Sequence, residues 1–110
     1  MIQQQDSGYK LENEFVSVSV LKSGLISSIF DKRLKHELCG KDTCEFQFYN
    51  EGPRKNCAWN INKNYLENKV DYPHEPQIKI SADGPHFAEL TLEFKFQDSL
   101  IIERIGIFKN

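Results

Sequence analysis

The clearest pattern lies in the last third of the chain. Ala88, Leu90, Leu92, Phe94 and Phe96 alternate with Glu89, Thr91, Glu93, Lys95 and Gln97. A period of two puts the apolar set on one face of a strand, whereas on a helix the same residues would spread around the circumference. Gln97-Asp98-Ser99 supplies a polar turn, and Leu100 to Phe108 resumes as a second, more apolar strand, so the two predict a hairpin. Before it, Ile78, Ile80 and Ala82 alternate up to the breaker Asp83-Gly84-Pro85, adding a third strand in meander order. The first third repeats the theme. Val16, Val18 and Val20 alternate with serines up to Lys22-Ser23-Gly24, Leu25 to Phe30 returns, Asp31-Lys32 turns again, and Arg33 to Leu38 is a short strand. Phe46 to Tyr49 is a further strand candidate.

From Asn50 to Pro76 the periodicity is lost. Gly52, Pro53, Pro73 and Pro76 punctuate a stretch that carries five asparagines between Asn56 and Asn68. Loops of that length in a small domain are usually functional or disordered. The aromatic residues Trp59, Tyr65 and Tyr72 favour an ordered loop packed on something. Many short strands and no amphipathic helix of ten residues predict one domain over residues 1–110, an all-β antiparallel β-sandwich with a long irregular loop at about 50–76. The inner faces are expected to hold Val16, Val18, Val20, Ile26, Ile29, Phe46, Phe48, Leu90, Leu92 and Phe94. The open edges of such a sandwich invite a partner domain or a homodimer.

Composition narrows the function. The 110 residues carry 16 acids against 14 lysines and arginines, a formal charge of -2, with the basic residues scattered singly. No basic stripe could neutralise a row of phosphates, so nucleic acid is not an expected partner. Nor is a membrane, because no apolar run approaches the roughly 18 residues of a spanning helix. Three cysteines, Cys39, Cys44 and Cys57, cannot all pair within one chain, and no Asn-x-Ser/Thr site occurs. Both observations point to a reducing, cytoplasmic setting. Grouping these cysteines with His36 or His74 does not give the two close pairs of a zinc motif, and no metal site is expected in this chain.

Several stretches resemble a known family. Leu11-Glu12-Asn13-Glu14-Phe15, then Gly24-Leu25-Ile26-Ser27-Ser28-Ile29-Phe30-Asp31-Lys32, then Ala58-Trp59-Asn60-Ile61 resemble the start of the β-rich C-terminal region of family 38 α-mannosidases. Ser81-Ala82-Asp83-Gly84-Pro85 and Ile101-Ile102-Glu103-Arg104-Ile105 resemble its continuation. The order and spacing of these segments carry the resemblance, which spans nearly the whole chain. It implies a sandwich of the galactose-mutarotase-like, supersandwich type, and a fragment of a larger hydrolase that acts on α-mannosides. In that family the zinc ligands and the nucleophilic carboxylate lie in an N-terminal α/β domain. No cofactor is then expected in this chain, zinc or another divalent metal is expected in the catalytic domain, and that domain of the same polypeptide is the expected partner. The family commonly has an acid on each side of the Ala-Trp pair, where this sequence has Cys57 and Asn60.

Trp59 is the leading site candidate, because an indole face stacks on the apolar face of a sugar ring. The competing role is a plug at the end of the sandwich. Arg54, Asn60 and Tyr65 could donate hydrogen bonds to sugar hydroxyls, as could Asn62, although asparagine-rich loops often satisfy their own backbone. No catalytic residue is assigned to this chain. Two readings stand beside the non-catalytic domain: an independent carbohydrate-binding module, and a small mutarotase-like epimerase drawing on His36, His74 or His86. A standalone hydrolase would need two carboxyl groups about 5–9.5 Å apart, with Glu51, Glu67, Asp71 and Glu75 as the loop's supply.

Overall fold

The computed structural model describes residues 1–40, 44–50, 65–72 and 74–110, and they form antiparallel sheets in three groups. The first is a five-stranded meander of β1 (Ile2–Gln5), β2 (Gly8–Glu12), β3 (Val16–Leu21), β4 (Ile26–Asp31) and β5 (His36–Glu37). A two-stranded ribbon follows, β6 (Phe48–Tyr49) with β7 (Lys69–Val70), and a short 3-10 turn, Tyr65–Asn68, leads into β7. The last is a three-stranded meander of β8 (Gln77–Asp83), β9 (Phe87–Phe96) and β10 (Ser99–Phe108), with β9 in the middle.

The expected alternation holds where it is strongest. Ala88, Leu90, Leu92 and Phe94 of β9 are buried against Leu11 of β2 and Val20 of β3, which makes the inner faces of the two larger sheets one core. Each large side chain so buried stabilises by about 1.5–3 kcal/mol. Val16, Val18, Ile26, Phe46 and Phe48 pack on that core while keeping some exposure, and Ile29 stays half-buried outside it. A bulge between β3 and β4 brings Ile26 opposite Val20 and Ile29 opposite Val18, so two isoleucines three residues apart share one side.

The structure departs from the sequence pattern in three places. Gln3, Gln4 and Gln5 lie in β1, which pairs with β2 and buries Leu11, although a glutamine run carries no strand signal. The strand expected over Arg33 to Leu38 contracts to His36–Glu37, because Asp31 Oδ1 accepts hydrogen bonds from the backbone N–H groups of Arg33 and Leu34 and holds an Asx turn there. Within the irregular span 50–76, the 3-10 turn and β7 are regular, and β7 pairs with β6.

Asn13 joins the two larger sheets. Its Oδ1 accepts from the N–H groups of Phe15 (2.7 Å) and Val16 (2.8 Å), which closes the β2–β3 turn. Its Nδ2 donates to the Phe108 carbonyl at 2.8 Å, at the end of β10. A second link is steric. Gly24 has φ +84, and a Cβ built there would lie 2.5 Å from Phe94 Cζ and 2.8 Å from Pro76 Cγ. Gly40, at φ +64, would place its Cβ within 4 Å of nothing among the described residues. Gly24→Ala is therefore expected to lose about 2–4 kcal/mol, from left-handed strain plus overpacking. Gly40→Ala should lose only about 1–2 kcal/mol, from strain alone. Urea unfolding of the two variants checks the difference, and equal losses would contradict a close seat of Phe94 on Gly24.

Candidate functional site

Two concavities flank the aromatic side chains that join the ribbon to the core. The smaller lies between the sheets, about 110 Å³ in volume, lined by Gly24, Ile26, Cys44, Glu45, Phe46, Tyr72, Phe94 and Glu103. It is well below the several hundred Å³ usual for a ligand pocket. The larger is a groove of about 390 Å³ formed by Phe48, Tyr49, Asn50, Val70, Phe96 and Gln97.

The groove is built from strand ends. Phe48 pairs with Val70 across the ribbon, and its ring stacks on Phe96 of β9 with centroids 4.0 Å apart and planes 13° apart. The Phe48 ring also meets Tyr72 edge-on at 4.9 Å, and Tyr72 meets Phe94 at 6.2 Å. Tyr49, on the opposite side of the ribbon, receives Tyr65 edge-on at 5.2 Å, and its hydroxyl donates to Gln47 Oε1 at 2.7 Å. A lining that mixes aromatic and aliphatic side chains with Asn50 and Gln97 is of the kind that suits a sugar, which presents both C–H faces and hydroxyls.

Of the sugar-binding candidates named from the sequence, Tyr65 lies among the described residues. It opens the 3-10 turn, half-buried, as a buttress for Tyr49. Arg54, Trp59, Asn60 and Asn62 lie outside the described residues. The segment that carries them leaves the chain after Asn50, which lines the groove, and re-enters at Tyr65, which packs on a groove residue. Asn50 N–H donates to the Asn68 carbonyl, which closes the base of that excursion.

The acid chemistry is sparse. Glu67, Asp71 and Glu75 are exposed, and Glu51 lies outside the described residues. His36, His74 and His86 are exposed as well, and the His74 ring leans on Tyr72 at 4.4 Å. Among the described residues, no three His, Cys, Asp or Glu side chains converge as a metal would require.

Glu103 escapes the sequence reading. It occupies an inward position of β10, between Ile101 and Ile105 and opposite Leu92, and it borders the inter-sheet cleft. Burial pushes its carboxyl above the ordinary value of 4.5. Burial, with the nearby Glu45 charge, likewise raises the Tyr72 phenol. The signal was available: in Ile101-Ile102-Glu103-Arg104-Ile105-Gly106-Ile107 the inward set is apolar at every position but one.

A family model, the glycosyl hydrolases family 38 C-terminal domain, matches residues 11–110. The chain belongs to this family, and it is a non-catalytic domain of a family 38 glycoside hydrolase. The β-sandwich agrees with the β-rich character of that domain. A search of curated proteins returned no match.

A carboxyl whose pKa is higher in the folded chain than in the unfolded one makes the folded state bind more protons between the two values. Stability therefore falls as pH rises through that window, which starts near 4.5 for Glu103 and extends upward. Glu103→Gln removes the effect. The variant is expected to have a higher urea midpoint than the parent at pH 7, with the gap closing as pH approaches 4.5. An equal or lower midpoint at pH 7 would show that Glu103 is not held at an electrostatic cost.

Proposed function

We propose that this domain serves an α-mannosidase, packing on its catalytic domain and lending the segment between Asn50 and Tyr65 to the rim of the mannoside site. The observation that carries the reading is the groove at the base of that segment, lined by the aromatic Phe48, Tyr49 and Phe96 together with Asn50, Val70 and Gln97. Trp59 is assigned the stacking role, with Arg54, Asn60 and Tyr65 as hydrogen-bond donors to hydroxyls. Zinc or another divalent metal, and the carboxylates that cleave the glycosidic bond, belong to the catalytic domain in this reading. The cytoplasm is the assigned compartment, from the odd cysteine count and the missing Asn-x-Ser/Thr sites.

The surface supports docking to a larger body. In the antiparallel ladder Lys109 N–H donates to the His86 carbonyl, so the odd-numbered residues of β10 bond to β9. The backbone groups of Leu100, Ile102, Arg104 and Gly106 then point away from β9, to an edge that no other strand pairs among the described residues. Leu100, Ile102 and Phe108 are also exposed, at 54%, 46% and 65%. A long apolar edge of this kind is one that proteins normally cover.

The test uses the full-length hydrolase and an aryl α-mannoside. Trp59→Ala is expected to raise KM roughly two- to tenfold, the equivalent of one lost aromatic contact of about 0.5–1.5 kcal/mol. The urea midpoint should stay close to that of the parent. An unchanged KM with a lowered midpoint would make Trp59 a plug in the sandwich, and turnover of the mannoside by the 110-residue chain alone would overturn the non-catalytic role.

A further inference from the structure

Cys39 and Cys44 are held side by side. Their Sγ atoms are 3.6 Å apart, against about 2.05 Å in a disulfide, so closure needs a combined shift of roughly 1.5 Å. The backbone on both sides is pinned to β4. Leu38 N–H donates to the Ile29 carbonyl at 2.8 Å, while Cys44 and Ile26 exchange N–H to carbonyl bonds at 2.9 and 3.2 Å as an isolated bridge. Glu37 adds a third tie. Its Oε1 accepts from the N–H groups of Cys39 (3.1 Å) and Ile29 (2.8 Å), and its Oε2 accepts from the Ser28 hydroxyl. Those bonds, that from Ser28 foremost, hold the Glu37 carboxyl below its ordinary value.

The two sulfurs differ in access. Cys44 is exposed and borders the inter-sheet cleft, whereas Cys39 is half-buried with its Sγ toward the Ile26 carbonyl. Desolvation, then the contact with Cys44, raises the Cys39 thiol. Cys44 is thus the sulfur that meets a reagent from solution, and Cys39 the one that resolves the product.

We propose that Cys39 and Cys44 form an oxidation site, a dithiol that closes to an intramolecular disulfide by exchange with a low-molecular-weight disulfide. The Cys44 thiolate attacks one sulfur of R–S–S–R and expels one RS⁻, leaving a mixed disulfide on Cys44. The Cys39 thiolate then attacks Cys44 Sγ and expels the second RS⁻. The two cysteine protons leave with the two RSH formed, and the two electrons lost by the protein reduce one small disulfide. The product fastens the residue 38–44 stretch to itself beside the cleft that Cys44, Glu45 and Glu103 line. No part of this depends on mannoside binding.

Trypsin makes the test direct, because Lys41 lies between the two cysteines. The native chain is treated with oxidised glutathione, residual thiols are alkylated, and the digest is analysed without reduction. The expected product is a disulfide-linked pair of peptides, His36–Lys41 and Asp42–Arg54, with two of the three cysteines lost to alkylation and Cys57 alkylated. Cys39→Ser is expected to trap a lasting glutathione adduct on Cys44. The linked pair should form at least tenfold faster in the native chain than in urea. A lasting adduct in the parent, a link to Cys57, three alkylated thiols, or equal rates in urea would each overturn the proposal.

Discussion

The fold turns on the seat of Phe94 over Gly24. Phe94 stands on the central strand of one sheet, and Gly24 in the turn that joins β3 to β4 in the other. A side chain at Gly24 would occupy space already taken by the ring, so the two sheets approach as closely as they do only because that position has no Cβ. The same ring receives Phe46 edge-on at 5.4 Å and Tyr72 at 6.2 Å. One contact therefore sets the sheet separation and anchors the segments on both sides of the long excursion. Phe48, clamped between Tyr72 and Phe96, passes that anchorage to the ribbon and so to the groove.

A core arranged this way leaves features at its margins that a self-contained domain would avoid. An inward Glu103 in an otherwise apolar row costs desolvation. Among the described residues, the β10 edge is paired by no further strand and is flanked by exposed Leu100, Ile102 and Phe108. Neither follows from the needs of a 110-residue sandwich, yet both are ordinary for one domain of a larger hydrolase, which is what membership of the family 38 C-terminal domain makes this chain. The ion pairs at the other side follow surface rules. Lys10 and Lys32 meet Glu12 at 2.9 and 2.6 Å in half-exposed positions, where screening keeps their contribution small.

How much of this was legible in the sequence depends on how much local pattern each part carries. β9 and β3 were plain because burial on one face imposes a period of two, and the Asx turn at Asp31 because a carboxylate beside its own backbone acts locally. β1 was not, since its glutamines are strand residues only by pairing with β2, a tertiary cause with no local trace. The 3-10 turn and β7 were hidden for the same reason: two residues cannot show a period, and what fixes them is Phe48 opposite Val70. The aromatic groove was half legible. Phe46 and Phe48 read as core, which they are in part, but that Phe48 and Phe96 would also wall a surface groove depends on the angle of the ribbon to the sheet, which no spacing encodes.

The groove bears on how a loop from a supporting domain could help recognise a sugar. A segment that must contribute from a distance loses conformational entropy on binding unless its ends are already fixed. Here the last placed residue before residues 51–64 is tied through Asn50 N–H to the Asn68 carbonyl, and the first one after them, Tyr65, is wedged on Tyr49. Both ends therefore leave from a rigid aromatic base, and loop closure is already accomplished in the folded domain. The ends are held in turn by Phe48, which packs on Phe96 and Tyr72, and by Tyr72 on Phe94, so the anchor of the segment is continuous with the core between the sheets.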